Sequence, residues 1–188
     1  MGYTRGRRVT HCPYCGSAYA DGVGWPRDCS GCGETQWRNP LPVAVALQPV
    51  ASASGRLGVV VVRRGIEPGR GLLALPGGYV EVGETWQEGA VRELREETGL
   101  VAAVDGVTLF DVRSTGDTLQ VFALLPVREA GTLPEAVAMP ETMGWQVIDT
   151  PSELAFDTHT AALATLLSAA RLPGPSAHLP ARMGGELR

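Results

Sequence analysis

The sequence predicts an α/β fold: strands and two helices over residues 42–172, behind a small four-cysteine module at 8–35. Three observations predict it. Short apolar runs rich in Val, Leu and Ala recur between turn residues, at strand length. One stretch places apolar residues at helical spacing between a capping box, Thr85 to Glu88, and a closing glycine, Gly99. All four cysteines fall in two C-x2-C pairs near the start.

Composition narrows the function. The chain has 188 residues, enough for one full domain and a small one. Its hydrophobic content of 44% fits a soluble protein with a real core. A net charge of −4 argues against tight, nonspecific nucleic-acid binding. All 16 basic residues are Arg, which excludes a lysine Schiff base and a Walker-type phosphate loop. The first residues lack the apolar segment of a secretory signal, and no apolar run reaches membrane-spanning length. A cytoplasmic protein without a membrane partner is expected.

The cysteine module is first in chain order. Cys12-Pro-Tyr-Cys15 and Cys29-Ser-Gly-Cys32 read as a four-thiolate zinc site. Each pair forms a tight turn aiming two sulfurs at one ion, with Gly16 and Gly31 as the flexible positions. Two disulfides or a redox motif are the alternatives; the compartment and the absence of a flanking strand–helix pattern disfavour them. Four thiolates close the coordination shell, so the Zn²⁺ is structural. His11, beside Cys12, is a bystander. Arg5, Arg7, Arg8, Arg27, Trp25 and Trp37 are the candidates if the module touches nucleic acid.

Asn39-Pro40-Leu41-Pro42 is an extended connector. VAVALQPVA reads as one strand and LGVVVVRR as the next, ending on Arg63 and Arg64. GIEPGRG is a turn-rich loop. LLAL leads to Pro76-Gly77-Gly78, where paired glycines allow positive φ and a close backbone approach to a ligand. The helix begins near Trp86. Ala90, Val91, Leu94 and Thr98 share its core face, and Glu93, Glu96 and Glu97 fill an arc of about 100° beside it. Carboxylates so spaced repel unless something positive sits among them. A hard cation such as Mg²⁺ or Mn²⁺ suits their oxygens; a solvated acidic face neutralised by Arg92 and Arg95 is the plainer alternative.

VAAVDGVTLFDVRS and TLQVFALLPV follow as two strands joined by Thr115-Gly116-Asp117. Residues 128–144 read as a long loop, Trp145 to Ile148 as a short strand, and Pro151 to Leu154 as a turn of helix. Asp157 or Thr158 caps a last helix through about Ala170, with Ala162, Leu163, Leu166 and Leu167 facing the core. His159 in its first turn reads as structural. Residues 173–188 are rich in Pro and Gly and are expected to be disordered.

The string from Gly78 to Leu100 resembles the Nudix box, G-x5-E-x7-R-E-U-x-E-E-x-G-U with U apolar. All nine specified positions match: Gly78, Glu84, Arg92, Glu93, Leu94, Glu96, Glu97, Gly99 and Leu100. The resemblance implies a Nudix α/β/α sandwich with a mixed sheet. It implies hydrolysis of a small nucleoside diphosphate joined to another group. Glu93 and Glu97 would then be the main metal ligands, with Glu96 and the Gly77 carbonyl assisting. Arg92 would orient the carboxylates and Glu84 would hold Arg92. Arg63, Arg64 and Gly78 would meet the substrate. An acid in the 128–144 loop would serve as further ligand or general base, Glu141 before Glu135. The cysteine module resembles the zinc ribbon ahead of some Nudix domains, including the NADH pyrophosphatase branch. Homodimers occur in the family, and the resemblance leaves a homodimer open.

Substrate signatures outside the box do not decide. The NADH pyrophosphatase string S-Q-P-W-P-F-P-x-S is replaced by VTLFDVRSTGD, and Thr115 and Gly116 stand where many ADP-ribose pyrophosphatases carry proline. The coenzyme A signature before the box is missing. ADP-ribose, NADH or FAD is the expected substrate type, releasing a nucleoside monophosphate. Trp86 and Phe110 could stack on its base, although aromatics there are more often core. Two rivals remain: a noncatalytic nucleotide sensor, which the intact box disfavours, and removal of nucleotide caps from RNA, with the ribbon touching the RNA.

Overall fold

The structure is a computed structural model that describes residues 9–22, 24–52 and 55–169. The tail at 173–188, the last residue of the expected final helix, and Arg5, Arg7 and Arg8 lie outside the described residues. Among the described residues no helix is long and apolar enough to cross a membrane.

The cysteine module forms two turns and one short hairpin. Strands β1 (Arg27–Asp28) and β2 (Thr35–Gln36) pair antiparallel. Each C-x2-C is followed by a glycine in the left-handed region, Gly16 at φ 78° and Gly33 at φ 77°. The N–H of each donates to the carbonyl of the first cysteine in its pair, at 2.9 and 2.8 Å. Gly33, not Gly31, is therefore the second flexible position. Gly31 is needed for space, because a Cβ there would collide with the Ser17 hydroxyl.

The four sulfurs lie within 4.8 Å of one another. Cys12 and Cys32 are 3.8 Å apart, Cys15 and Cys29 3.5 Å. A tetrahedral zinc with Zn–S bonds of about 2.3 Å places its sulfurs roughly 3.8 Å apart, so this donor set fits Zn²⁺.

Beyond the connector, the run VAVALQPVA is two strands rather than one. Strand β3 (Leu41–Leu47) and strand β4 (Pro49–Ala51) belong to different sheets. Gln48 is the crossing point. It is buried, its amide nitrogen donates to the carbonyls of Pro49 and Pro126, and its oxygen accepts from Arg128. Proline supplies no N–H for the ladder at position 49, and this helps end the first strand. Strand β5 (Leu57–Arg64) pairs with β4 and with β6 (Leu73–Ala74), both antiparallel.

A second crossing follows at once. Leu73 and Ala74 pair with β5, but strand β7 (Gly77–Tyr79) pairs with β3. The two glycines expected in a turn are thus strand residues, and neither has positive φ. They are needed for space. A Cβ at Gly77 would stand 2.6 Å from the Ala44 carbonyl oxygen, and one at Gly78 would overlap the Glu93 carboxylate.

Helix α1 (Trp86–Thr98) starts on a complete capping box from Thr85 to Glu88 and ends on Gly99 at φ 77°. Strands β8 (Thr108–Ser114) and β9 (Thr118–Leu124) form a hairpin, and β9 runs parallel to β3. The segment 128–144 is less irregular than its sequence suggests. It holds strand β10 (Arg128–Glu129), parallel to β4, a short 3-10 turn at Ala130–Thr132, and the start of strand β11 (Thr142–Ile148) beside β5. Residues 151–154 are not helical; helix α2 runs Asp157–Ala169.

One mixed sheet is ordered β7-β3-β9-β8; the other runs β10-β4-β5-β11, with β6 also on β5. Alternation along β3 shows the layering. Ala44 and Ala46 join a core with Ala90 and Leu94 of α1, while Val45 and Leu47 join one with Leu163 and Leu167 of α2. Burial on both faces explains why this strand reads as an unbroken apolar run. Trp86 and Phe110 pack against the two cores, so neither is a free stacking platform.

Candidate active site

The site is built where α1 lies against β3 and β7. Gly89 lets the helix come close: a Cβ there would meet Ala44 at 3.4 Å and Glu84 at 3.0 Å. Arg92 is the hub. Its Nε and Nη2 donate to the two oxygens of Glu84 at 3.1 and 2.8 Å. Its Nη1 donates to Glu93 at 2.7 Å and to Glu96 at 3.1 Å, and Nη2 also reaches the Tyr79 carbonyl at 2.9 Å. Glu84 in turn accepts from the Glu81 N–H. A guanidinium offers five donors in a planar fork, and this fork meets three carboxylates from two elements. The hydrogen bond from Arg92 holds Glu84 below the usual carboxylate range.

Glu97 lies apart from that hub. It is 7% exposed, and its Oε2 accepts the Gly77 N–H at 3.1 Å. Burial pushes its pKa up to about 8; the Gly77 N–H and the nearby Arg64 oppose the shift, and the charges of Glu93 and Glu141 add to it. Burial also raises Glu93, against the pull of Arg92. These are hard oxygen donors beside a strand-edge carbonyl, and Glu97 is a buried acid short of positive charge. A divalent cation would meet that deficit, so Gly77, Glu93, Glu96 and Glu97 fit such an ion. Among the described residues only the four cysteines already bring three or more ligand atoms within 4.8 Å of one another. The helix glutamates are drawn instead toward Arg92.

The other expected residues divide. Glu141 is exposed, its backbone carbonyl accepts the Gly65 N–H at 2.8 Å, and its charge reaches Glu93 and Glu97. Glu135 is exposed and has no such link. Arg63 and Arg64 point to opposite faces of β5, as alternation requires. Arg63 donates to the Gly71 carbonyl at 2.7 Å and clamps the 65–71 loop. Arg64 donates through Nε to Pro68 at 2.7 Å, lies over the Phe156 ring, and is the one whose charge acts on Glu97. Gly78 faces Glu93, whose carboxylate fills the space of its missing side chain.

In the ribbon, Arg27 is buried over the Trp25 ring, 4.2 Å from its centroid, and donates to the Val9 carbonyl. Arg38 pairs with Asp117. Neither presents a free basic surface to nucleic acid. Thr142 gained no weight from sequence, and His159 read as structural there without a named partner. Thr142 donates its hydroxyl to the Glu97 carbonyl at 2.8 Å, and His159 accepts the Leu75 N–H at 3.2 Å. Both contacts span distant parts of the chain, so no local spacing signals them.

The NUDIX domain family profile matches residues 40–169. The chain belongs to the NUDIX domain family. Among curated proteins, the ADP-ribose pyrophosphatase of Methanocaldococcus jannaschii is 39% identical over 82 residues, 44% of this chain and 46% of that one. The chain spans about half the length of that relative. Among solved structures, a NUDIX hydrolase from Nitrosomonas europaea superposes with a TM-score of 0.65 at 23% identity, covering 85% of this chain and 91% of the other. A bifunctional NMN adenylyltransferase/ADP ribose pyrophosphatase from Francisella tularensis gives 0.58 at 24% identity, over 71% and 42%. These two similarities concern the Nudix fold. Helix α1 and the glutamates gathered around Arg92 and Gly77 lie within the matched residues.

Proposed function

We propose that this protein is a divalent-metal-dependent hydrolase of a nucleoside diphosphate linked to a second group, of the ADP-ribose, NADH or FAD type, releasing a nucleoside monophosphate. One observation carries the reading: buried Glu97 under the Gly77 N–H, beside Glu93 and Glu96 held on one helix side by Arg92. The similarity to an ADP-ribose pyrophosphatase supports the substrate class. In this reading residues 8–35 are a zinc ribbon and 42–172 the hydrolase domain.

Glu93, Glu96, Glu97 and the Gly77 carbonyl would hold Mg²⁺ or Mn²⁺. When bound, such an ion neutralises phosphate oxygens and orients a water for in-line attack. Arg92 keeps two of the carboxylates aimed, and Glu84 keeps Arg92 in place. Glu141 is the acid outside the helix we assign as general base, because its charge already acts on Glu93 and Glu97. Arg64 is assigned to the substrate phosphates. Arg64 rather than Arg63 takes this role because its charge acts on Glu97, whereas Arg63 lies on the opposite face of β5.

The test is a product assay on ADP-ribose, NADH, FAD, nucleotide sugars and nucleoside triphosphates with Mg²⁺ or Mn²⁺, run beside Glu97→Gln. Metal-dependent release of a nucleoside monophosphate is expected. The variant should lose about 100-fold in turnover with little change in KM, as expected when an interaction made in the transition state is removed. Tight binding of one compound without turnover would replace this reading with a nucleotide sensor.

A further inference from the structure

The chain leaves one sheet for the other at Leu75. On the strand before it, Leu73 and Ala74 pair with Arg63 and Val62 of β5. On the outer edge of that strand, the Ala155 N–H donates to the Leu73 carbonyl at 2.7 Å. The next N–H on that strand, Leu75, has no strand beside it, because the neighbouring chain has already turned into α2. Leu75 is 2% exposed, so this N–H cannot turn to water. It donates to His159 Nδ1 at 3.2 Å, across 84 positions of sequence.

His159 is 4% exposed and sits edge-on to Phe122 and Phe156. Accepting at Nδ1 requires the neutral ring with its proton on Nε2. Burial, and then the charge of Arg64, keep it neutral, with a pKa near 3. Two residues past Leu75, the Gly77 N–H holds Glu97.

We infer that His159 is a positioning residue for the metal end of the site. Its imidazole stands in for the backbone carbonyl missing beside Leu75, and so fixes where Gly77 presents its N–H and carbonyl. The inference rests on the metal-binding reading of Gly77 and Glu97 given above. It makes the first turn of α2 part of the support for a site otherwise built from α1 and β7.

The experiment uses the full chain and four variants: His159→Leu, His159→Asn, Leu166→Ala and Glu97→Gln. Asn places an amide oxygen where Nδ1 stands; Leu cannot accept. Leu166→Ala loosens the same α2 core without touching the bond. Mn²⁺ affinity is measured by direct titration below every melting temperature, with amide exchange at Leu75 and Gly77. His159→Leu should weaken Mn²⁺ binding about tenfold, as loss of an outer-shell partner does, and should speed exchange at both amides. His159→Asn should recover most of each. Leu166→Ala should lower the melting temperature and leave Mn²⁺ binding intact.

Mn²⁺ affinity in His159→Leu equal to wild type, or equal losses in Leu166→Ala, would overturn the inference. Should Glu97→Gln bind Mn²⁺ as wild type does, the metal reading itself fails, whatever His159 does.

Discussion

At the scale of single residues, the site depends on side chains that are absent as much as on those present. Gly78 leaves room for the Glu93 carboxylate. In Gly78→Ala the new methyl displaces only the far end of a flexible chain, so the fold should survive. Glu93 should not keep its place. We expect kcat to fall at least about tenfold with a melting temperature close to wild type; unchanged turnover would remove Glu93 from the chemistry. Arg92 makes the opposite case. Its side chain is 18% exposed and its partner Glu84 16%, so the pair is largely shielded from water. Arg92→Met leaves Glu84 and Glu93 without their cation. That should cost about 1–3 kcal/mol of stability, seen as a lower urea midpoint. Arg92→Lys keeps the charge but not the fork, and should recover stability more than turnover.

Elements explain which parts of this architecture could be read in advance. Helix α1 was legible because its signals are local: Thr85 and Glu88 cap one end, Gly99 closes the other, and nine box positions lie between them and just outside. Strand pairing was not, since it rests on contacts far apart in sequence. VAVALQPVA looks continuous because apolarity is all that periodicity detects, yet Gln48 divides it between two sheets. Likewise Gly77 and Gly78 signal a turn by composition, whereas a helix carboxylate and a strand carbonyl demand their lack of side chains. The box glutamates were found by spacing. Thr142 was not, because its partner is 45 positions away, and the structural reading of His159 could not name Leu75, 84 positions away. For α1 itself, Thr85→Ala removes the hydroxyl that accepts the Glu88 N–H and leaves the backbone half of the capping box in place. We expect a loss of about 1 kcal/mol and faster exchange of the first-turn amides, with the last turn unaffected.

Taken whole, the molecule should answer to pH and to chelation separately. His159 sits at about 3 when folded against 6.5 when free. A depressed value means the unfolded chain binds the extra proton first. Stability is therefore full above pH 6.5 and declines as pH falls toward 3. The urea midpoint of wild type should drop between pH 7 and about 4.5 more than that of His159→Asn. Comparing the two proteins cancels Glu97, which runs the other way between 4.5 and 8. Chelation should act elsewhere, releasing the four thiols at the N-terminal end to a thiol reagent while near-ultraviolet signals from the main sheets persist. Simultaneous loss of both would mean that the zinc module holds up the whole chain. Strand β3 carries a last consequence. It turns alanines toward α1 and larger residues toward α2. The gap between the glutamate helix and the sheet is thus gauged by methyl groups on a wall that bears no charge. On the metal-binding reading proposed above, Ala44→Val would press α1 away from the sheet without altering any proposed ligand, and preference among cations of different radius should shift with it.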